Sequence, residues 1–424
     1  MFQPELEAME RERLDRLVLE RMRATLARVN TNPAYAGRLG GAEPGNLGRI
    51  DDWRRLPFLT KDELRDAYPF GLAGGGSYRR IQMSSGTTGN PILNPYTPGD
   101  IAQWSEVMAR CYVAAGVGSD DVIQITPSFG LFTGGFGFHY GAERLGAMVI
   151  PVGAGRTLLQ LKLMRDLKTT VLVAIATYSL RLIEVAREER FDLGALALRV
   201  GIFGAEMWSD ELRARIEREL GIRTFDIIGM TETGGPGLGI DCEARAGIHV
   251  WEDHYHVEII DPTTGAVVPD GQDGELVVST LTREGLPLVR YRTRDLTRVV
   301  SRERCACGRT ALRLDRLRGR TDDMVIFKGV NFYPRQIEQV LLRQPGLGPE
   351  YQITLDGDGG GERLTIHVET EPGCDGAVAT RVKRELHDLL GLGPEVRLCR
   401  FGEIERPPGK AVRVVDRRKY GSAS

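Results

Sequence analysis

The stretch Met83-Ser84-Ser85-Gly86-Thr87-Thr88-Gly89-Asn90-Pro91 concentrates hydroxyls and glycines in one short run. Two glycines free the backbone to turn N–H groups toward one point, and the hydroxyls add donors without net charge. Such a loop suits the oxygens of a triphosphate. It lacks the Gly-Lys-Ser/Thr ending of a Walker A loop, which argues against a P-loop kinase or ATPase. A second constellation is built from sulfur. Cys242 and His249 are separated by six residues, and much later Cys305 and Cys307 flank a single alanine. Three thiolates and one imidazole complete a tetrahedral Zn2+ shell with no open position, the pattern of a structural site. His254 and His256 are alternative fourth ligands.

These groups need elements to hold them. From residue 78 to 300, short apolar runs (Val122–Thr126, Met148–Val152, Val171–Ile175, Val200–Phe203) alternate with helical stretches (Asp100–Ala115, Leu158–Lys168, Tyr178–Glu189, Ser209–Glu219). That alternation predicts α/β layers with a largely parallel sheet. Val257–Ile260, Gly274–Thr280 and Leu296–Val300 read as further strands, so this later part is β-rich. Ahead of them, apolar residues recur at helical spacing from Pro4 to Val29 and predict one amphipathic helix. Beyond Arg318–Asp323 come a glycine-containing loop, a helix after Pro334, a hairpin across Gly357–Gly361, a helix over Val378–Leu390 and a strand over Glu395–Phe401. About a hundred residues suffice for a small α+β domain.

The 424 residues exceed what one core serves, so two domains are expected. A 42% apolar and 27% charged composition is that of a soluble globular protein, and a net charge of -2 points to neither nucleic acid nor an anionic membrane. The start, MFQPELEAME, is acidic and has no apolar h-region, and no apolar run reaches membrane-spanning length. A cytoplasmic protein with reduced thiols is expected.

Ser84 to Pro91 resembles the phosphate loop of the adenylate-forming superfamily, which includes acyl- and aryl-CoA ligases. Gly229-Met230-Thr231-Glu232-Thr233 resembles the second nucleotide motif of that family. The resemblance implies that Thr231 contacts the α-phosphate and Glu232 holds Mg2+; read alone, the pair is a helix N-cap with an acidic first turn. Tyr291-Arg292-Thr293-Arg294-Asp295 resembles the ribose motif, with Asp295 accepting both hydroxyls and Arg294 standing where many relatives carry glycine. Gly204-Ala205-Glu206 matches the segment along adenine, with Met207 following where proline is common, and Asp226, at the end of the next strand, is expected as another base-edge contact. Arg318 to Met324 resembles the interdomain hinge, which implies Asp322 as hinge residue and Arg320 at the ribose. Gly329 would let its loop approach the pantetheine arm of CoA. Pro407 to Arg413 resembles the motif that delivers a lysine, Lys410, to the adenylation site.

The resemblance therefore implies a large N-terminal adenylation domain, residues 1–321, with layered α/β sheets and a β-rich subdomain. A small mobile C-terminal α+β domain, residues 322–424, would carry Lys410. The implied reaction is ATP-dependent ligation of a carboxylic acid to CoA through an acyl-adenylate. Thr231, Glu232 and Lys410 are its catalytic residues, and Ser84, Ser85, Gly86, Thr87, Thr88 and Gly89 cradle phosphate. Phe129 to Gly135, Phe138 to Arg144, Gly247-Ile248-His249 with Glu252-Asp253-His254, and Cys305 to Thr310 resemble phenylacetate–CoA ligases in particular. That branch implies an aryl acid (phenylacetate-, benzoate- or anthranilate-like). Phe132, Phe138, His139 and Tyr140, with Phe129 and Phe136, are expected to line a flat apolar slot for it. Zinc-containing relatives support the cysteine–histidine set, and relatives are often homodimers. The same motifs fit two alternatives: loading of a carrier-protein phosphopantetheine thiol, or a nucleotide-binding protein without thioester turnover. In the phosphate loop, Asn90 stands where many relatives carry lysine.

Overall fold

The computed structural model describes residues 1–84, 90–328, 330–357, 362–371, 373–391, 393–405 and 413–418. The chain divides into two compact units, one of Met1–Ala205 with Glu217–Leu317 and one of Glu206–Ile216 with Arg318–Ser424. In the first, a nine-stranded sheet runs in the order Val299–Ser301, Arg313–Leu314, Ile248–Val250, Gly235–Asp241, Arg223–Met230, Val200–Phe203, Val171–Ala174, Val122–Ile125 and Met148–Ile150. The five strands from Arg223–Met230 onward are parallel, as their alternation with helices predicts. From Arg223–Met230 back to Val299–Ser301 every pairing is antiparallel. Tyr255–Ile260, Gly274–Thr280 and Tyr291–Thr297 pair antiparallel in another sheet.

The helix Pro98–Ala114 is the central packing element of this unit. Thr97 and Asp100 close a capping box at its start. Trp104, Val107, Met108, Cys111 and Tyr112 are buried in the main core. The aromatic, glycine-rich stretch read from the sequence as a slot becomes a second helix, Gly134–Leu145. Its glycines explain its path. A Cβ on Gly137 would lie 2.5 Å from Trp104, and one on Gly141 2.4 Å from the Cβ of Met108. Glycine at this spacing lets two helices approach to near backbone contact, which overrides its poor helix propensity.

The N-terminal region departs from the single expected helix. It breaks into Pro4–Glu7 and Arg11–Val29. The break turns Glu7 inward, where its carboxylate accepts from Arg309 Nε at 2.7 Å. Thr310 N donates to Glu7 O at 3.1 Å and Thr310 Oγ1 to Met9 O at 2.6 Å. Satisfying a buried ion pair and these carbonyls outweighs three residues of helix continuity. A second ionic cluster lies nearby. Arg110, fully buried, forks onto Asp253 at 2.9 and 3.1 Å. His254, its Nε2 3.6 Å from Glu106 Oε1, draws the Glu106 carboxyl down to about 2. Burial opposes ionisation of Asp253, but the charges of His254 and Arg110 hold it at about 2 as well.

The second unit has a four-stranded sheet ordered Glu395–Cys399, Glu362–Thr370, Leu347–Gly357 and Val414–Asp416. Ile337, Val340 and Leu341 of the helix Pro334–Arg343, and Val378, Val382 and Leu386 of the helix Val378–Leu390, form its core with the sheet. This is the small α+β arrangement expected. Among the described residues, no helix is long and apolar enough to cross a membrane.

Candidate functional site

Thr231 and Glu232 stand on the turn of a hairpin between the strands Arg223–Met230 and Gly235–Asp241. The helix N-cap reading of this pair is therefore corrected: no helix begins here, because Met230 pairs directly with Gly235. The turn is held from inside. The side-chain amide of Asn94 donates to the carbonyl of Thr231, and to that of Glu232 at 3.4 Å. Its oxygen accepts from Arg283 Nη2 at 2.7 Å. Arg283 is buried, lies 3.6 Å from the carboxylate of Asp100 and stacks over the Tyr96 ring at 4.3 Å. Asp100 in turn accepts from the backbone N–H groups of Glu284 and Gly285, both at 2.8 Å. A charge–amide line thus runs from the first turn of the central helix to the hairpin tip. Neither Asn94 nor Arg283 was singled out from sequence. The available signal was an asparagine inside the four-residue strand Leu93–Tyr96, a position that tolerates a polar side chain only with a partner.

That strand pairs with Arg80–Met83, so the phosphate-loop residues follow the first arm of a hairpin. Ser84 ties the two arms: its N–H donates to Ile92 O and its Oγ accepts from Ile92 N, both at 3.0 Å. Ser85, Gly86, Thr87, Thr88 and Gly89 lie outside the described residues, as do Gly329 and Lys410.

Asp295 lies half-buried on Tyr291–Thr297, its N–H donating to Thr293 Oγ1 at 3.0 Å. The preceding Arg294 has φ +66°. In this left-handed conformation a Cβ is strained. Ala205, in the candidate adenine segment, has φ +68° and follows buried Gly204; Glu206 is half-buried. Asp226 is buried and engaged by Arg316 Nε at 2.7 Å. In the second unit, Arg320 forks onto the candidate hinge Asp322 at 2.9 and 3.0 Å.

Among the candidate slot residues, helical periodicity separates two faces. Phe136 and Tyr140, one turn apart, stack at 6.1 Å, with Arg80 over both rings. Phe129 meets Phe136 at 5.3 Å and His139 at 6.0 Å. His139 Nε2 lies 3.3 Å from Glu143. Phe138 projects the other way, into the core against Tyr112, and Phe132 is exposed.

Cys242, His249, Cys305 and Cys307 converge, their ligand atoms all within 4.8 Å of one another. Cys242 Sγ is 3.8 Å from Cys305 Sγ, and Cys307 Sγ is 3.4 Å from His249 Nε2. The hydrogen bond between Cys242 and Cys307 pushes the first thiol up and draws the second down. His254 stands elsewhere, its Nδ1 2.8 Å from Thr282 Oγ1. His256 lies on Tyr255–Ile260 opposite Ser279.

A model of AMP-binding enzymes matches residues 78–282, and one of their C-terminal domain matches residues 329–418. A phenylacetate-coenzyme A ligase of Pseudomonas putida is 41% identical over 413 residues, 94% of this chain and 93% of that one. Its counterpart in Escherichia coli is 40% identical over 97% of this chain and 96% of the other. The chain belongs to the phenylacetate–CoA ligase family. It is an AMP-forming acid–thiol ligase that uses ATP and CoA. Among solved structures, a 2-hydroxyisobutyryl-CoA ligase in complex with 2-HIB-AMP is similar at TM-score 0.91 and 27% identity, covering 97% of this chain and 91% of that one.

The strain at Arg294 predicts a specific stability order. Arg294→Gly and Arg294→Ala remove the same side chain, but only glycine relieves the positive φ. Thermal unfolding of the two should differ by about 1 kcal/mol in favour of glycine; an equal or reversed order means that the backbone there carries no strain.

Proposed function

We propose that the acid is aromatic and that its adenylate forms at the hairpin tip bearing Thr231 and Glu232. The observation that carries the acid's class is the linked aromatic set of Phe136, His139 and Tyr140 on the helix Gly134–Leu145 with Phe129 just before it. Flat rings meeting edge to face form a surface suited to an aryl group. The four relatives named as phenylacetate-coenzyme A ligases support the same class.

In the first half-reaction, a carboxylate oxygen of the acid attacks the α-phosphorus of ATP. The bond from that phosphorus to the bridging oxygen breaks, and pyrophosphate leaves. In the second, the CoA thiol sulfur attacks the acyl carbon and gives up its proton to water, the bond from that carbon to the phosphate oxygen breaks, and AMP leaves. Thr231 binds the α-phosphate, Asp295 the ribose hydroxyls, and Gly204 to Glu206 flank adenine. Glu232 would hold Mg2+, which offsets phosphate charge when bound. Lys410 stabilises the charge of the first transition state, so its effect falls on rate. Asp322 is the pivot that withdraws it, Arg320 reaches the ribose, and Gly329 lines the CoA arm. The resemblance supports these last assignments, a cytoplasmic location and a homodimer.

The sulfur cluster is proposed to hold a structural Zn2+. The donor chemistry fits: three thiols and an imidazole, largely buried, with His249 Nδ1 also enclosed without a partner. Tetrahedral Zn2+ with ordinary bond lengths spaces two sulfurs about 3.8 Å apart and a sulfur and nitrogen about 3.6 Å apart. The distances of 3.8 and 3.4 Å support that fit. Cys242, His249, Cys305 and Cys307 would clip the strand Ile248–Val250 to the turn 305–308.

Two measurements test these assignments. With an aryl-acid panel and MgATP, wild type should release pyrophosphate for an aryl acid and form its CoA thioester. Lys410→Ala should lose adenylation by at least about a hundredfold yet retain thioester formation from supplied acyl-adenylate; equal loss of both halves removes Lys410 from its role. Elemental analysis should find one zinc per chain, lost in Cys305→Ser together with thermal stability. A zinc-free wild type with unchanged stability on adding the metal would refute the clip.

A further inference from the structure

We infer that Lys61 binds the phosphates of ATP beyond the α-phosphate and neutralises the departing pyrophosphate, supplying the positive charge that the phosphate loop of this chain lacks. The inference rests on the reading of Thr231 and Glu232 as nucleotide contacts.

Lys61 Nζ lies 3.5 Å from Glu232 Oε1. The carboxylate is buried and the lysine is partly exposed, so the ammonium sits at the solvent side of the hairpin tip. Its position is over-determined. Thr60 and Glu63 close a capping box around it: Glu63 Oε2 accepts from Thr60 N and Oγ1 at 2.7 Å each. Glu63 is held again by Arg38 Nε at 2.9 Å. Just before, buried Leu59 is stitched to the strand that carries Asp295. Its N–H donates to Arg290 O at 2.9 Å, and its carbonyl accepts from Arg292 N at 2.8 Å. One short segment thus touches both the strand with the ribose carboxylate and the turn with the metal carboxylate.

A half-exposed ion pair contributes at most about 1 kcal/mol to stability, which is little reason to anchor a lysine so firmly. Charge balance gives a better one. From Met83 to Pro91 the chain contains no charged residue, and position 90 is asparagine. The loop therefore offers hydrogen-bond donors but no cation to a ligand carrying about four negative charges. Four arginines of the same unit are committed elsewhere. Arg283 serves Asn94 and Asp100, Arg290 forks onto Glu258, Arg292 onto Glu275, and Arg316 engages Asp226. When the bond from the α-phosphorus to its bridging oxygen breaks, the electron pair stays on pyrophosphate. An ammonium already beside Glu232 meets that charge without reorganisation and takes no covalent part. Lys61 was not singled out from sequence, where it is one more lysine in a capped helix start.

The test compares binding of MgATP and of AMP, measured calorimetrically, for wild type, Lys61→Met and the double variant Lys61→Met with Asn90→Lys. AMP has the α-phosphate and ribose but nothing beyond them. Lys61→Met should weaken MgATP by about ten- to a hundredfold and leave AMP within about twofold. Asn90→Lys should restore most of the lost MgATP affinity, since it returns a cation from the loop side. Equal weakening of both nucleotides, no weakening, or no rescue by Asn90→Lys would overturn the assignment. None of these readouts needs acid turnover. Failure of the ligase reading would show separately, as wild type that releases no pyrophosphate with any acid.

Discussion

Asp100, Arg283 and Asn94 form a buried line of charge and amide that ends on the backbone of Thr231 and Glu232. A hairpin tip is ordinarily among the more mobile parts of a sheet, because its carbonyls face water. Here the carbonyls are bound from within by a side chain whose own oxygen is bound to a buried guanidinium. Removing any member would leave a buried polar group without a partner, at a cost of about 1–3 kcal/mol each. The Thr231 hydroxyl and Glu232 carboxylate are thus presented from a rigid base. The base reaches back to the capping box of Pro98–Ala114, the helix on which the core packs.

The same helix organises the acid side. Its Trp104 and Met108 accept Gly137 and Gly141 of the neighbouring helix. That close approach sets which face of Gly134–Leu145 carries Phe136, His139 and Tyr140 and which sends Phe138 to the core. The groups proposed for nucleotide and acid are therefore referred to one element, which suits a reaction in which a carboxylate oxygen must meet a particular phosphorus. The cysteine–histidine cluster gathers residues of the antiparallel part, with His249 on the strand Ile248–Val250.

Much of this was legible in the residues. Short apolar runs alternating with amphipathic stretches marked four of the five parallel strands and their helices to within a residue or two, because buried parallel strands read as continuous apolar runs; the fifth, expected to end at Asp226, runs on to Met230 as the first arm of a hairpin. Val378–Leu390 and Gly274–Thr280 appeared with their full extent. The helix Gly134–Leu145 was hidden, because five of its twelve residues are glycine or alanine and close helix contact leaves little apolar periodicity. The N-terminal break was hidden because Glu7 looked like a solvated helix residue; only its distant partner Arg309 makes it a buried one. Among functional groups, contiguous motifs such as Thr231-Glu232 were visible. Asn94, Arg283 and Lys61 were not, since each meets a partner 137 or more residues away. Spacing along the chain also left the fourth sulfur-cluster member open among three histidines, and proximity in space selects His249.

The most direct test of the claim that this buried line positions the proposed catalytic tip is a double-mutant cycle on Asn94→Ala and Arg283→Met, read as the rate of acyl-adenylate formation at saturating MgATP and acid. If the two side chains act as one line, each single variant loses rate and the double variant is no slower than the worse single. Losses that multiply in the double variant would mean that Asn94 and Arg283 act independently, and the account of how Thr231 and Glu232 are held would be wrong.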